Sequence, residues 1–360
     1  MPSAQVFSLA PSDGERARER GNIHLATGKN CILRIVRKFE RPGNCGRYAD
    51  YKSAIPQTES LRYDAAAWTY APIGSSSRCA CKREGHRPLI HPTASIHRKA
   101  QVDPSGTVGA YAVIDEHVIV GPNCWVGPHV HLTGHTTIGA SNRFHTGCVI
   151  GDAPQDLKYK ENEPTCLRIG DHNTFREHVT VHRSNKLSED TVIGSNNYLM
   201  ANSHVGHNGQ LGNHIILANG ALLGGHVVVQ DRAFISGNCL VHQFVRIGTL
   251  ALMQGGSGIS KDLPPYTIAR GQNGICGLNT IGLRRAGLRR EERLELKRLY
   301  HVLFRSDTNL QSAIAAAQSA FRSVSAKALI AFVATAKRGL CSDVSRSRPA
   351  PEDEDESADS

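Results

Sequence analysis

The chain has 360 residues, 40% of them apolar, enough for a substantial core, and no apolar stretch reaches eighteen residues before charge or glycine interrupts it. Asp13, Glu15 and Glu19 among the early arginines do not read as a secretory signal, so neither a membrane span nor a signal peptide is expected. The net charge is +10, and because six acids crowd into 352–359 the remainder stands at about +16; this body attracts anions, but with 6% aromatics and no basic run interleaved with them, nucleic-acid binding is not expected.

Residues 1–87 carry a basic excess and little periodicity. They read as a targeting leader, a flexible arm, or the product of a misassigned start. No methionine follows Met1 until Met200, so a start near Leu89 would need a different codon.

From Ile90 an apolar residue recurs at every sixth position as far as Ile150. The phase then slips by one across GDAPQDLKYKENEPTCLR (151–168), resumes at Ile169, Phe175 and Val181, and runs unbroken from Ile193 to Ile259. Neither the helical period of 3.6 nor strand alternation produces a six. Hexads of this kind predict a parallel β-helix over 88–270, with three hexads closing an eighteen-residue triangular coil. Glycine often follows the aliphatic residue, as at Gly109, Gly121, Gly206 and Gly224, which fits a tight corner with little room for a side chain. The polar stretches 151–168 and 184–190 are expected to leave the prism as loops, the usual places for binding groups on a rigid scaffold.

After DLPPY the pattern stops, and 271–340 is expected to be a small helical domain. LRREERLELKRLYHVLF offers Leu294, Leu299, Val302 and Leu303 as an apolar stripe, and a second helical stretch covers 308–336. Residues 341–360 read as a disordered acidic tail.

The eighteen-residue coil makes neighbours predictable. His207 shares a column with Gly225 and Gln243, Asn208 with His226 and Phe244, and Gly206 with Gly224 and His242. His204, His207, His226 and His242 therefore gather on three consecutive coils beside glycines, along a crevice. Surface decoration, zinc binding and general-base catalysis all remain open for such a cluster. The ten cysteines are scattered with no CxxC pair, which supports free thiols in a reducing compartment and offers no thiolate metal site. For base catalysis, a neutral imidazole takes a proton from a hydroxyl, and the N–H of Gly225 is placed to meet the oxyanion that follows.

HPTASIH (91–97), QDLKY (155–159), TVHRS (180–184), NSHVGHN (202–208), LANGALLGGH (217–226), VHQF (241–244), DLPPYTIARG (262–271) and GLNTIGLRR (277–285) together resemble the acyl-[acyl carrier protein]:UDP-N-acetylglucosamine O-acyltransferases. The resemblance spans 88–305. It implies a left-handed β-helix, a homotrimer with sites between prisms, and transfer of a 3-hydroxyacyl chain from acyl carrier protein to the sugar 3-hydroxyl, in the cytoplasm or behind an organelle leader in 1–87. It implies no cofactor and no metal. His207 resembles the general base and Gly225 the oxyanion donor, with His204, His226 and His242 positioning substrate. Gln155, Asp156 and Lys158 resemble sugar and phosphate contacts, His182, Arg183 and Gln243 acyl or substrate contacts, Arg285 a diphosphate contact, and Gly255 the limit on acyl length. The family commonly carries Asp after the base, where this chain has Asn208. Basic residues of the helical domain offer a carrier-protein surface. Competing expectations are the related N-acyltransferase of the same pathway, which carries an extra N-terminal uridine-binding domain, a gamma-class carbonic anhydrase with zinc, and a non-catalytic β-helix scaffold.

Overall fold

Every sixth side chain turns inward, and the architecture follows from that. In this computed structural model the described residues are 90–160 and 163–344. The expectations for 1–87 and for 345–360 lie outside the described residues.

Short strands, mostly of two residues, alternate with turns from Ser95 to Ile259. Ser95 pairs with Val113, Gln101 with Ile119 and Thr107 with Trp125, each eighteen residues on and parallel. Three hexads thus complete one coil, and successive coils build three flat sheets of a left-handed parallel β-helix. From Val108 to Ile259 no hexad residue is more than 4% exposed. Ile90 is 45% exposed, since no described coil lies beyond it. Phe144 and Phe175 stack inside at 4.8 Å between ring centroids. Beside them a buried asparagine ladder serves one corner: Asn142 Oδ1 accepts from Asn173 N, Asn173 Oδ1 from Asn197 N, and Asn197 Oδ1 from Ile215 N.

Two features shape the corners. The left-handed φ recurs every six residues at Asn196, Asn202, Asn208 and His214, then Gly220, His226, Arg232 and Asn238, three positions past the aliphatic residue and not directly after it. Asparagine tolerates that conformation better than most residues. The glycine that follows the aliphatic residue is needed for a different reason. A Cβ on Gly109 would stand 2.8 Å from the carbonyl carbon of Gly127, and one on Gly206 would stand 2.7 Å from Gly225 N, so at these two positions the neighbouring coil leaves no room for a side chain.

Two excursions leave the prism. Val149 pairs with Thr180 and Thr137 with Arg168, both 31 residues on; Thr180 then pairs with His204 and Arg168 with Val192, both 24 on. An addition of thirteen shifts a six-residue phase by one, and an addition of six leaves it unchanged, which accounts for the single slip in the sequence. Strands Val149–Asp152 and Cys166–Ile169 extend into the expected loop, so the first excursion proper is 153–165; the second is 183–190.

The expected helical segment begins as sheet. Thr267–Arg270 and Gly274–Leu278 form an antiparallel hairpin on the third face, and Ser342–Asp343 adds a strand beside it. Helices follow at Thr280–Arg285 (α1), Arg290–Phe304 (α2), Leu310–Ala320 (α3) and Val324–Ala334 (α4). The expected single stretch over 308–336 is two helices, because the Ser323 side chain caps α4 by accepting from Ala326 N. In α2 the buried stripe runs through Leu296, Leu299, Tyr300, Leu303 and Phe304, while Leu294 is 49% exposed. The chain does not become tail at 341. Cys341 and Asp343 are buried, and the Asp343 carboxylate accepts from Tyr300 Oη and Arg305 Nε. Among the described residues no helix is long and apolar enough to cross a membrane.

Candidate active site

The register sets the site. On the first face the outward residues Thr180, His204, Leu222, Leu240 and Gly258 stand directly above one another. At the adjoining corner the turns place His207, Gly225 and Gln243 in the next column. Between them opens a cleft of about 620 Å³ lined by His182, His204, His207, Gly225, His242 and Gln243, with Gln155 reaching in from the long loop and Leu222 and Leu240 forming an apolar floor.

His207 is held by its neighbour. Its Nδ1 lies 2.9 Å from Asn208 Oδ1. The same oxygen accepts from Asn185 N at 3.1 Å, and a backbone N–H can only donate, so the carboxamide orientation is set. His207 Nδ1 must therefore carry the proton, which leaves Nε2 bare. That bare nitrogen faces Gly225: a Cβ there would meet His207 Nε2 and Cε1 at 2.6 Å. The N–H of Gly225 donates no backbone hydrogen bond within the described coils, while the N–H groups on either side of it do. A lone-pair nitrogen and an unused N–H thus sit together at one wall of the cleft, an arrangement suited to taking a proton and then meeting an oxyanion.

Burial lowers the pKa of three other imidazoles, His204, His182 and His226. His204 donates to or accepts from Thr180 Oγ1 at 2.7 Å and packs edge-on against His182, with 4.7 Å between centroids. Burial, and then the neighbouring His182 and His207, push its pKa down to about 4. His182, 6% exposed, is lowered chiefly by burial, as is His226. His226 meets His207 of the adjoining column edge to face at 5.2 Å and stacks at 4.5 Å on Phe244, its own column neighbour eighteen residues on. His242 lies between Gln243 O at 3.2 Å and the Arg338 guanidinium at 3.4 Å. Among the described residues no group of three or more His, Cys, Asp or Glu is arranged to hold a metal ion.

The loop residues divide. Asp156 accepts from Lys158 N at 3.0 Å and Asn185 Nδ2 at 2.8 Å, and those two bonds hold its carboxyl below the usual range. Through Asn185 it joins the network around Asn208. Lys158 itself is exposed at the loop tip. The Arg183 guanidinium donates to Tyr159 Oη at 3.1 Å and Gly151 O at 3.0 Å, pinning the loop to the prism. Gly255 and Arg285 do not line the cleft; Gly255 lies against Gly237 O, and Arg285 ends α1. Sequence reasoning did not single out Ser184, Asn185, Glu189 and Arg338, whose parts depend on where loop and chain end return in space. Ser184 and Asn185 stand inside the polar stretch flagged as a loop, and that stretch was the available signal.

Comparison with known proteins bears on this geometry. A family model described as "Udp N-acetylglucosamine O-acyltransferase; Domain 2" matches residues 262–341. The acyl-[acyl carrier protein]:UDP-N-acetylglucosamine O-acyltransferase of Syntrophobacter fumaroxidans is 42% identical over 255 residues, which cover 70% of this chain and 98% of that protein. Its namesake from a Synechocystis strain is 46% identical over 228 residues, 63% of this chain and 82% of that one. Among solved structures, the UDP-N-acetylglucosamine acyltransferase of Francisella novicida superposes with a TM-score of 0.69 at 34% identity, covering 71% of this chain and 94% of its own. The Arabidopsis enzyme of the same name gives 0.63 at 34% identity, over 70% and 100%.

Proposed function

The chain belongs to the acyl-[acyl carrier protein]:UDP-N-acetylglucosamine O-acyltransferase family, and on that premise we propose how its own residues perform the transfer of a 3-hydroxyacyl chain from carrier-protein thioester to the 3-hydroxyl of UDP-N-acetylglucosamine, the first step of lipid A biosynthesis. The observation that carries the assignment is the fixed tautomer of His207. With Nδ1–H committed to Asn208, Nε2 takes the proton of the sugar hydroxyl as its oxygen attacks the thioester carbon. The carbonyl oxygen gains negative charge and is met by Gly225 N–H. The tetrahedral intermediate then collapses, the carbon–sulfur bond breaks, and the thiolate of the carrier arm receives the proton from the His207 imidazolium. No charge or proton is left over, and no metal or cofactor enters the scheme.

Neutral His204 and His182 line the cleft without adding a cation beside the base, and Leu222 and Leu240 offer the acyl chain an apolar track. Gln155, Asp156, Lys158 and His226 stand on the loop side, where the sugar and its phosphates are received. Gln243 and His242 close the opposite wall. Arg285 and Gly255 lie outside the cleft of one chain, so parts for them in diphosphate binding and acyl length require a neighbouring prism. A homotrimer is supported by the third face, where Tyr198, Ile216, Phe234 and Leu252 stack into an outward, half-buried apolar column. The basic helical domain suits an acidic carrier protein, and the enzyme is read as acting in the cytoplasm or an equivalent reducing compartment.

The test is an assay with UDP-N-acetylglucosamine and 3-hydroxyacyl carrier proteins on the parent and on His207→Ala. A loss of at least about a hundredfold is expected, the lower end for removing a general base. Retention of most activity would overturn the assignment.

A further inference from the structure

When His207 accepts a proton, a positive charge appears in a cleft whose nearest partner, Asn208, is neutral. The carboxamide orients the ring but supplies no compensating charge, and a partly buried imidazolium gains from one. The short loop 183–190 provides a carboxylate at one remove. Asn208, 2% exposed, turns its Nδ2 to Ser184 Oγ at 2.7 Å, Glu189 O at 3.2 Å and Glu189 Oε2 at 3.4 Å. The same Glu189 oxygen stands 3.6 Å from His226 Nδ1. Glu189 is held there because Lys186 and Glu189 pair across the loop as an antiparallel bridge, with Lys186 Nζ 3.5 Å from the carboxylate. The path is continuous: Glu189 accepts from the Asn208 amide N–H, and the Asn208 oxygen accepts from His207 Nδ1–H. Each bond polarises the next toward the ring.

We propose that Glu189 is a positioning residue of the transfer reaction, supplying through the Asn208 carboxamide the negative charge that supports His207 as it becomes an imidazolium. The inference rests on the reading of His207 as base. Asp156, the other carboxylate near His207, has one oxygen committed to Lys158 N and the other to Asn185 Nδ2, and it touches Asn208 only through the Asn185 backbone. Glu189 acts directly on the amide that touches the ring. Of the remaining ionisable groups among the described residues, His204 neighbours His207 on the same coil, His182 on the coil below and His226 on the coil above, and Lys186 stands beside Glu189. Lys186 opposes the carboxylate, so its removal should strengthen the effect.

Glu189→Gln isolates the charge, since the glutamine oxygen still accepts from Asn208 Nδ2. Removing a negative charge makes the imidazolium harder to form. The acid limb of the kcat/KM profile should therefore move to lower pH by about half a unit, with a plateau loss of roughly threefold to tenfold in kcat and little change in KM. Asn208→Asp placed in the Glu189→Gln background returns a charge one step closer and should restore the plateau and move the limb back up. A nitrogen-detected NMR titration of His207 in the full chain reads the same shift without relying on turnover. If the parent is inactive or His207→Ala is not impaired, the reading of the base fails. If both behave as expected but the limb and the His207 titration are unmoved in Glu189→Gln, the relay alone is overturned. A loss in Glu189→Gln that Asn208→Asp does not recover would assign Glu189 a merely structural part and overturn it too.

Discussion

Gly225→Ala is the sharpest probe of the site, because a single methyl group would enter where the proposed chemistry occurs. The added Cβ would stand 2.6 Å from both Nε2 and Cε1 of His207, and ordinary contact begins near 3.4 Å, so the ring must withdraw by about 1 Å. It cannot do so freely, since Nδ1 is tied to Asn208, which is held in turn by Asn185, Ser184 and Thr191. A base misplaced by that distance costs on the order of a hundredfold in kcat. Gly225 lies outside the left-handed φ positions, so the backbone itself accepts alanine and the fold should lose only about 1 kcal/mol. The assay is kcat and KM with both substrates, alongside thermal unfolding. Gly237→Ala is the control: its Cβ would meet only Asn219 O at 3.4 Å, and both activity and stability should be kept. Gly225→Ala within about threefold of the parent, with a matching melting temperature, would refute the placement of base and oxyanion donor at this wall.

Two further outcomes follow from the same geometry. The folded-state pKa of His204 is pushed down to about 4 from 6.5, so the folded protein is at full stability above pH 6.5 and loses it as pH falls toward 4, where the unfolded chain takes a proton that the folded one resists. The loss should approach roughly 3 kcal/mol, and denaturant unfolding at about pH 7 and about pH 4.5 should show it shrinking in His204→Gln; an unchanged pH dependence in that variant would assign the effect elsewhere. Leu240, 55% exposed on the cleft floor, should tolerate Glu without unfolding, but the variant should raise KM for the acyl donor about tenfold and leave KM for the UDP-sugar within about twofold. Equal effects on both substrates would deny the acyl chain this track.

Much of the active site is legible in the sequence, because a solenoid converts sequence spacing into spatial proximity. The stacking of His226 on Phe244 and the contact of His207 with Gly225 are both eighteen-residue relations. The same arithmetic explains what escaped it. The excursion at 183–190 adds six residues to a coil and leaves the hexad phase intact, so periodicity registers no interruption there, and the loop's polar text is the only sign. Ser184, Asn185 and Glu189 fold back onto Asn208, and their separations of 19 to 24 residues have no place in the eighteen-residue rule. Arg183, for which the family resemblance implies an acyl or substrate contact, donates to Tyr159 and Gly151, a fastening of the long loop to the prism that sequence spacing does not encode.

By itself the sequence determined the period, hence the coil, the inward spine from Val108 to Ile259 and the column that gathers the histidines. Those relations are local and repeated, and no other packing buries one aliphatic residue in six on every face. Only the tertiary structure decided which nitrogen of His207 is bare, that Asn208 is the hub of a buried network, and that the chain returns at 341–344 to pair with the hairpin and cover Tyr300 with Asp343. These depend on contacts between segments of unrelated spacing. Their energies come from hydrogen bonds closed across loops, which no periodicity encodes.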